Sequence, residues 1–233
     1  MKIALFGYGK MGKMIERIAL ERGHVIVAKI DVGTEKIDFS EMDVAIDFSM
    51  PAAAFTNISS CLIQGVPIVS GTTGWLNDYE KAVALCRQKK GAFIYASNFS
   101  LGVNLFFQLN QHLAQLMKNV EGYALGLEEI HHTQKLDAPS GTAITLAEGI
   151  IGQSGYLDWK LDGHGEHTIP ITSKRIDDTP GTHTIAYNSR VDQIQIKHTA
   201  HNREGFALGA VIAAEWIFGK TGVFSMKDVL NLG

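Results

Sequence analysis

The stretch KIALFGYGKMGKMIERI (2–18) decides how the first half of this chain folds. A short apolar run precedes glycines in the spacing GxGxxG, and apolar residues at helical spacing follow them. This order is typical of a dinucleotide-binding strand, loop and helix, because the glycines make the tight turn, admit the pyrophosphate and let the helix pack closely. The helix N-terminus then faces the phosphates with its partial positive charge. The motif predicts a dinucleotide bound at Gly7, Tyr8, Gly9, Lys10, Met11 and Gly12; the alternative is a glycine turn without a ligand.

An acidic residue, Asp31, follows the second predicted strand, about 20 residues after the last of these glycines. In proteins that bind NAD, an acid at this position hydrogen-bonds the adenosine ribose. The next residues are Val32 and Gly33 rather than an arginine, so the sequence favours NADH over NADPH. Lys10 and Lys36 remain as positive charges able to attract a 2′-phosphate.

The first hundred residues alternate between strand-like and helix-like runs. Runs rich in Ile and Val predict strands near 2–6, 25–30, 44–49, 67–70 and 93–97. Helices are predicted between them, near 11–22, 51–64 and 76–90. This alternation indicates a parallel sheet covered by helices on both faces, which is a Rossmann-type domain.

The pattern changes after about Ser100. A helical run at 102–119 precedes four segments, most of which alternate polar and apolar residues, at 121–132, 167–176, 182–190 and 192–201. Such alternation predicts an open, mostly antiparallel sheet with one solvent-exposed face. We also predict a helix near 140–151, a Gly-rich loop at 152–166 and an apolar helix at 205–218 that returns to the first domain. The predicted fold class is α/β, a Rossmann-type domain at 1–100 and 203–233 plus a smaller mixed α+β domain at 101–202.

Two further turns follow the fourth and fifth predicted strands, at 70–75 and 96–104. Ligands in open α/β sheets bind beyond the carboxyl ends of the strands, so we expect these turns to line the cofactor cleft. The alternative is ordinary polar turn chemistry.

The composition excludes several classes of protein. The 233 residues are 45% hydrophobic and 19% charged, which indicates a globular chain. A net charge of −3 without a basic run argues against nucleic acid as a partner. No apolar run reaches the roughly 20 residues that span a bilayer, and the N-terminal apolar run reads as a strand rather than a signal peptide. Cys61 and Cys86 lack a CxxC spacing, so we expect reduced core thiols and a cytoplasmic protein.

The segment EEIHHTQKLDAPSGTA (128–143) combines residues suited to anion binding and proton transfer. Ser140 is a natural N-cap for the helix that follows, and Gly141 and Thr142 present backbone N–H groups suited to a carboxylate. Lys135 adds a positive charge and a transferable proton, and a histidine such as His131 ordinarily titrates in the pH range suited to general acid–base catalysis. The alternative is a strand that ends in solvated histidines before a capped helix.

The sequence predicts no metal site. Adjacent His131 and His132 splay apart in a strand, and neither a cysteine nor a third histidine is suitably spaced for a metal ion. The remaining histidines of the second half are expected to be polar surface or strand-face residues, namely His164, His167, His183, His198 and His201.

The same segment resembles the signature of the dihydrodipicolinate reductase family, which reads E-x-x-HH-x-x-K-x-D-x-PSGTA. The similarity extends, in order, over GYGKMG (7–12), IDFSMP (46–51), SGTTGW (70–75), ASNFSLGVN (96–104) and HTAHNREGFALGAV (198–211). The glycine loop is more compact than in many members and the region 31–43 is shorter, which concerns cofactor preference rather than the reaction.

The resemblance implies an NAD(P)H-dependent reduction of 4-hydroxy-tetrahydrodipicolinate to tetrahydrodipicolinate in lysine and diaminopimelate biosynthesis. It implies hydride delivery to ring C4, protonation by His131 or Lys135, and a dicarboxylate held by His132, Ser140, Gly141 and Thr142. The implied cofactor contacts, besides the glycine loop and Asp31, are Phe48, Gly71, Thr72, Thr73, Ala96, Ser97, Asn98 and Phe99. It further implies a homotetramer built through the sheet of the second domain.

Two rival hypotheses remain at this point. Another two-domain reductase, such as an amino-acid or semialdehyde dehydrogenase, fits the cofactor half equally well. A non-catalytic NAD sensor or scaffold also fits that half, but it has no need of Lys135.

Overall fold

A computed structural model describes residues 1–31, 33–34 and 37–232 of the chain. The strands are β1 (Lys2–Phe6), β2 (Val25–Ile30), β3 (Val44–Asp47), β4 (Ile68–Ser70), β5 (Ala92–Tyr95), β6 (Ala124–His131), β7 (Asp158–Leu161), β8 (Thr168–Arg175), β9 (Thr182–Asn188), β10 (Gln193–Thr199) and β11 (Gly222–Phe224). The helices are α1 (Lys10–Glu21), α2 (Pro51–Ile63), α3 (Tyr79–Lys89), α4 (Leu101–Met117), α5 (Gly141–Ile151), α6 (Glu204–Ile217) and α7 (Met226–Val229). The chain divides into two units, one formed by 1–101 together with the segment from 204 onward, the other by Gly102–Arg203.

The first unit is built on a parallel six-stranded sheet in the order β11-β5-β4-β3-β1-β2. All four residues of β3 are buried, as a central strand covered on both faces requires. One apolar core lies between the sheet and the helices α1 and α6, and a second lies against α2 and α3. The Rossmann-type class predicted from the strand and helix alternation is confirmed.

The carboxyl ends of these parallel strands place several loops on one edge of the sheet. The glycine loop follows β1, Phe48 follows β3, Gly71 follows β4 and Ala96 follows β5. Parallel pairing aligns Phe6 with Asp47 and Asp47 with Ser70, so these loops start at the same level. This is the edge at which open α/β sheets bind ligands.

The second unit, described throughout, contains a five-stranded sheet in the order β10-β9-β6-β8-β7. Its pairings are antiparallel for β10–β9 and β9–β6, but parallel for β6–β8 and β8–β7. The mixed class is confirmed, yet the sheet is evenly mixed rather than mostly antiparallel. The reason is the long connection through α5 after β6, which allows the parallel pairing of β6 with β8.

The predicted loop at 152–166 was wrong in part, because β7 lies inside it. This strand lies at the edge of the sheet, is largely exposed and has only four residues, DWKL, so its alternation of polar and apolar residues is too short to predict a strand from the sequence. Along β6, exposed or half-buried residues alternate with buried ones. The buried apolar side chains of this strand pack with residues of α4 and α5. None of the helices in the described part of the chain is both long and apolar enough to cross a membrane.

Candidate active site

A cavity of about 290 Å³ opens over the glycine loop of the first unit. Its lining includes Gly7, Tyr8, Gly9, Asp31, Phe48 and Ser49. A Cβ on Gly7, which has φ of +86°, would lie 2.3 Å from the carbonyl oxygen of Phe48. A Cβ on Gly12 would lie 2.3 Å from the carbonyl oxygen of Gly7. Both positions therefore require glycine, as the tight turn and the close helix packing of a dinucleotide loop do.

Helix α1 offers an anion-binding N-terminus at this loop. Gly9 is the N-cap and no side chain caps the first turn. The N–H groups of Lys10, Met11 and Gly12 have no acceptor within the helix, so they are suited to a phosphate. The Lys10 side chain is exposed and Met11 is half-buried.

A buried carboxylate, Asp47, ties the neighbouring loops together and was missed by the sequence analysis. Its side chain is fully buried at the end of β3. It accepts hydrogen bonds from Ser49 Oγ at 2.6 Å, Asn57 Nδ2 at 3.1 Å, and Ser70 Oγ and Thr72 Oγ1 at 2.8 Å each. Thr72 Oγ1 in turn accepts the backbone N–H of Ser49. The available signal was an acid at the end of a buried apolar run, where only a hydrogen-bonded carboxylate is tolerated.

The remaining predicted cofactor contacts lie in these loops with unequal exposure. Gly71 packs against Phe48, since a Cβ there would lie 2.3 Å from a ring atom of Phe48. Phe99 is only 2% exposed, and its ring centroid lies 5.9 Å from that of Phe48. Phe99 therefore supports Phe48 from the core. Thr73 and Ser97 are exposed, Ala96 and Asn98 are half-buried, and Thr72 is buried.

The charged groups beside Asp31 bear on cofactor choice. Lys29 Nζ pairs with Glu16 at 2.6 Å and lies 4.6 Å from the centroid of the Tyr8 ring. This lysine is thus engaged by an acid. Lys36, considered above as a phosphate ligand, lies outside the described residues.

In the second unit, β6 presents Glu129 and His131 on its inner face. They are two residues apart, so they point the same way, and they are 0% and 7% exposed. His183 lies opposite Glu129 in the antiparallel register with β9, and its ring centroid lies 5.1 Å from that of His131. His132 instead lines a different pocket, together with Asp178 and Arg203.

Ser140 is the N-cap of α5, as the sequence predicts. Its Oγ accepts the backbone N–H of Ala143 at 3.2 Å and lies 3.2 Å from His183 Nε2. Its own backbone N–H is donated to the carboxylate of Glu129. Ser140 is 3% exposed, so its hydroxyl is used within the protein. The N–H groups of Gly141 and Thr142 belong to the first turn that an anion would approach.

Lys135 lies in the turn between β6 and α5. Its Nζ contacts both carboxylate oxygens of Asp137, at 2.7 and 2.8 Å. Arg175, the last residue of β8, donates to the carbonyl oxygens of Lys135 and Asp137 and to Glu129 Oε1. The segment 131–142 is therefore held in place by contacts that lead to the buried carboxylate of Glu129.

The electrostatics of this cluster make His131 neutral. Burial and the nearby charges of His183, Lys135 and Arg175 lower the pKa of His131 to about 4, against the opposing effect of Glu129. Burial pushes the pKa of Glu129 upwards, but hydrogen bonds from His183, Ser140 and Ser173 outweigh it and hold that pKa below its usual range. At neutral pH the cluster holds an ionised Glu129 beside a neutral His131 imidazole.

The sequence showed no third histidine suitably spaced for a metal ion, but the register of β9 brings His183 beside His131. One ligand atom each from Glu129, His131 and His183 lies within 4.8 Å of the others, a spacing compatible with a metal ion. However, Glu129 already accepts Ser140 N–H, Ser173 Oγ and Arg175. A metal ion would have to displace this network, so the geometry favours a hydrogen-bonded cluster.

Comparisons with known proteins cover nearly the whole chain. The family model described as dihydrodipicolinate reductase, N-terminus, matches residues 1–99, and the one described as dihydrodipicolinate reductase, C-terminus, matches residues 102–230. A 4-hydroxy-tetrahydrodipicolinate reductase of Christiangramia forsetii is 58% identical over 99% of this chain and 98% of that relative. A protein of the same name from Neisseria gonorrhoeae is 36% identical over 93% of this chain and 84% of its own length.

Solved structures share the fold. A dipicolinate-bound dihydrodipicolinate reductase from Paenisporosarcina sp. TG-14 aligns with a TM-score of 0.76 and 23% identity over 97% of both chains. A probable dehydrogenase from Thermotoga maritima aligns with a TM-score of 0.61 and 9% identity over 98% of this chain and 92% of its own.

Proposed function

The chain belongs to the dihydrodipicolinate reductase family, and from that premise we propose which of its residues carry out the reaction. It is an NAD(P)H-dependent oxidoreductase that reduces 4-hydroxy-tetrahydrodipicolinate to tetrahydrodipicolinate in lysine and diaminopimelate biosynthesis. The observation that carries the proposal is the cluster around Glu129, because it joins a proton donor, a neutral histidine and a helix N-terminus in one unit.

The first unit binds the cofactor at the glycine loop, with NADH preferred. The tight packing of Gly7 and Gly12 and the uncapped first turn of α1 support this site. Asp31, in the lining of the cavity, is placed to accept hydrogen bonds from a ribose hydroxyl and to repel a 2′-phosphate. Phe48, Gly71 to Thr73 and Ala96 to Asn98 complete the contacts, with Phe99 behind Phe48. When bound, the dihydronicotinamide supplies the hydride.

The second unit holds the dicarboxylate. The N–H groups of Gly141 and Thr142 at the start of α5 receive one carboxylate, and Ser140 fixes their orientation as the N-cap. His132, on the other side of the strand end, contacts the substrate from the pocket that it shares with Arg203. Lys135 contributes a positive charge that favours an anionic substrate.

Lys135 donates the proton and His131 acts as a neutral base or hydrogen-bond partner. Hydride added at ring C4 of the dehydrated, conjugated substrate pushes electrons towards the ring nitrogen, and the resulting enamine takes up one proton. A lysine is ordinarily protonated at neutral pH, whereas His131 with a pKa of about 4 is not. Proton delivery of this kind typically contributes about 10² to 10⁴-fold in rate.

The units have separate roles in this proposal. Residues 1–100 and 203–233 bind the dinucleotide, and residues 101–202 bind the substrate and form the oligomer. The homotetramer follows from the family resemblance, and its proposed contact surface is the face of the second unit's sheet that carries a groove lined by Gly126, Glu128, Thr184 and Gln195 among others. Light scattering at working concentration measures that assembly. The two buried free cysteines suit a reducing cytoplasm.

The test is oxidation of NADH and NADPH by the purified protein, with substrate generated from pyruvate and aspartate semialdehyde by the preceding synthase. We expect Lys135→Ala to lower kcat by about 100-fold or more while NADH binding, followed by fluorescence, stays unchanged. Lys160→Ala, an exposed lysine on β7, is the matched control. Equal loss of cofactor affinity would contradict the division of roles. NADH binding without turnover would point to a sensor, and turnover of another substrate would point to a different reductase.

A further inference from the structure

We propose that Arg175 is a positioning residue that holds the turn of Lys135 against the start of α5 through Glu129. The proposal rests on the proton-donor role of Lys135 given above. Neither the signature segment nor any cofactor contact includes Arg175, which comes from a different strand, β8.

The contacts of Arg175 lie on both sides of the site. Its Nε donates to the carbonyl oxygen of Lys135 at 3.2 Å, and its NH2 donates to that of Asp137 at 2.6 Å. The same NH2 group lies 3.2 Å from Glu129 Oε1, and NH1 donates to the carbonyl oxygen of Lys174 at 2.9 Å. The guanidinium thus connects two backbone carbonyls of the turn with a carboxylate on β6.

Sheet register explains why this residue is the one in place. In the parallel pairing of β6 with β8, Arg175 is the partner of His131 and Ser173 is the partner of Glu129. Both strands end at this edge, so the Arg175 side chain meets the chain that leaves β6. Two backbone bonds strengthen the junction, from Ile176 N to His131 O and from Thr133 N to Asp177 O.

Glu129 transmits the connection to the substrate site. It is fully buried, and besides Arg175 it accepts the backbone N–H of Ser140 and the hydroxyl of Ser173. Burial of a carboxylate is costly, and hydrogen bonds together with a paired cation offset that cost. Arg175 supplies that charge, so one ion pair fixes both the turn of Lys135 and the N-cap of α5.

Lysine cannot replace arginine in this role. The planar guanidinium spreads its N–H donors in fixed directions and reaches the two turn carbonyls and the Glu129 carboxylate at once, besides the carbonyl of Lys174, whereas an ammonium is a compact point charge on a flexible stem. The positions of the acceptors, two carbonyl oxygens and one carboxylate, therefore select for arginine. A purely electrostatic role would be satisfied by either side chain.

The experiment compares Arg175→Lys, Arg175→Ala and the control Lys174→Ala. Lys174 is the neighbour of Arg175 and pairs with Glu128, a residue on the opposite face of β6 from Glu129. We expect both Arg175 variants to lose up to about 100-fold in kcat, as misplacement of a reacting group does, with the KM for NADH unchanged. Millimolar guanidinium chloride should restore part of the kcat of Arg175→Ala, whereas sodium chloride and methylammonium chloride should not. Lys174→Ala should resemble the wild type.

Two results would overturn the proposal. One is a wild-type kcat in Arg175→Lys, which would leave only a charge role. The other is a loss of kcat that follows the loss of folded protein and shows no guanidinium rescue. Arg175→Lys keeps the charge beside Glu129, so it carries the test if Arg175→Ala does not fold. A wild-type enzyme inactive with this substrate would instead contradict the proposed function.

Discussion

Glu129 accepts the backbone N–H of Ser140, which lies 3.1 and 3.0 Å from its two carboxylate oxygens. A buried acid of β6 therefore fixes the residue that caps α5. The first turn of that helix, proposed as the carboxylate site, is held by the core of its own unit rather than by an exposed loop. The negative charge of Glu129 behind the turn is offset by Arg175.

Replacement of Ser140 by alanine tests whether the serine hydroxyl acts as a cap. Because Oγ accepts the N–H of Ala143, we expect Ser140→Ala to lower the free energy of unfolding by about 1 kcal/mol and to raise the KM for the dicarboxylate. Ser225→Ala, at the capping box of α7 in the other unit, is the control for lost stability without a changed substrate KM. Urea unfolding and steady-state kinetics measure both effects. Unchanged stability in Ser140→Ala would contradict the capping role.

The lowered pKa of His131 predicts acid instability. With a folded pKa of about 4 and an ordinary value near 6.5, the unfolded chain binds a proton there that the folded chain does not. The resulting stability is complete above pH 6.5 and is lost as pH falls towards 4, by up to about 3 kcal/mol. We expect His131→Asn to lose less stability than the wild type between pH 7 and pH 4, measured by urea unfolding. His164→Asn, at an exposed histidine, should follow the wild type.

Local signals allowed much of the fold to be predicted. In the first unit each of the first five strands is a short apolar run bounded by turn residues, so β1 to β5 and α1 to α3 follow from the sequence. The three-residue β11 and the exposed β7 were missed, since neither has a periodic apolar pattern of useful length. The parallel pairing of β6 with β8 was missed because it depends on which strands become neighbours.

Some residues of the candidate site could likewise be predicted from the sequence, whereas others are brought together only by the fold. Residues 131–142 are contiguous, so their chemistry can be seen in the sequence. Glu129, Arg175 and His183 act through contacts between three strands, and only the register of the sheet brings them together. Asp47 could be predicted only in part, since its position at the end of an apolar run was visible in the sequence but its four hydrogen-bond donors were not.

Asp31→Asn tests the cofactor preference. The substitution removes a charged acceptor for the ribose hydroxyls, an interaction of about 1.5 to 3 kcal/mol, so the KM for NADH should rise about tenfold or more. The KM for NADPH should stay or fall, because repulsion of a 2′-phosphate is also removed. Asp38→Asn, at an exposed acid outside the lining of the cavity, should leave both KM values unchanged. A wild-type preference for NADPH would contradict the argument.

Replacement of Gly209, in α6, by alanine is expected to lower the free energy of unfolding strongly. A Cβ there would lie 1.7 Å from the carbonyl oxygen of Phe99, so Gly209→Ala must displace backbone. We expect a loss of about 1–3 kcal/mol, or more, in the free energy of unfolding. Gly205→Ala, in the same helix, meets the Ser100 side chain at ordinary contact distance, with Oγ at 3.5 Å, and should be neutral or stabilising. Thermal unfolding of the two variants tests this prediction. Equal melting temperatures would contradict the close approach of Gly209 to the carbonyl group of Phe99.

Asp47→Asn separates the support of the cofactor loops from global stability. The carboxylate accepts from Ser49, Asn57, Ser70 and Thr72, whereas an asparagine offers one acceptor oxygen and an NH₂ group that faces the remaining donors. Because Phe48 and Gly71 adjoin these partners, we expect the KM for NADH to rise more than the KM for the dicarboxylate.

The loss of hydrogen bonds to a buried charge should also cost about 1.5 to 3 kcal/mol in unfolding free energy. Asp78→Asn, at the start of α3 and paired with exposed Lys81, is the control and should change neither quantity by more than a few tenths of a kcal/mol. If Asp47→Asn lowers stability while the KM for NADH stays at the wild-type value, the network stabilises the fold but does not position the cofactor loops.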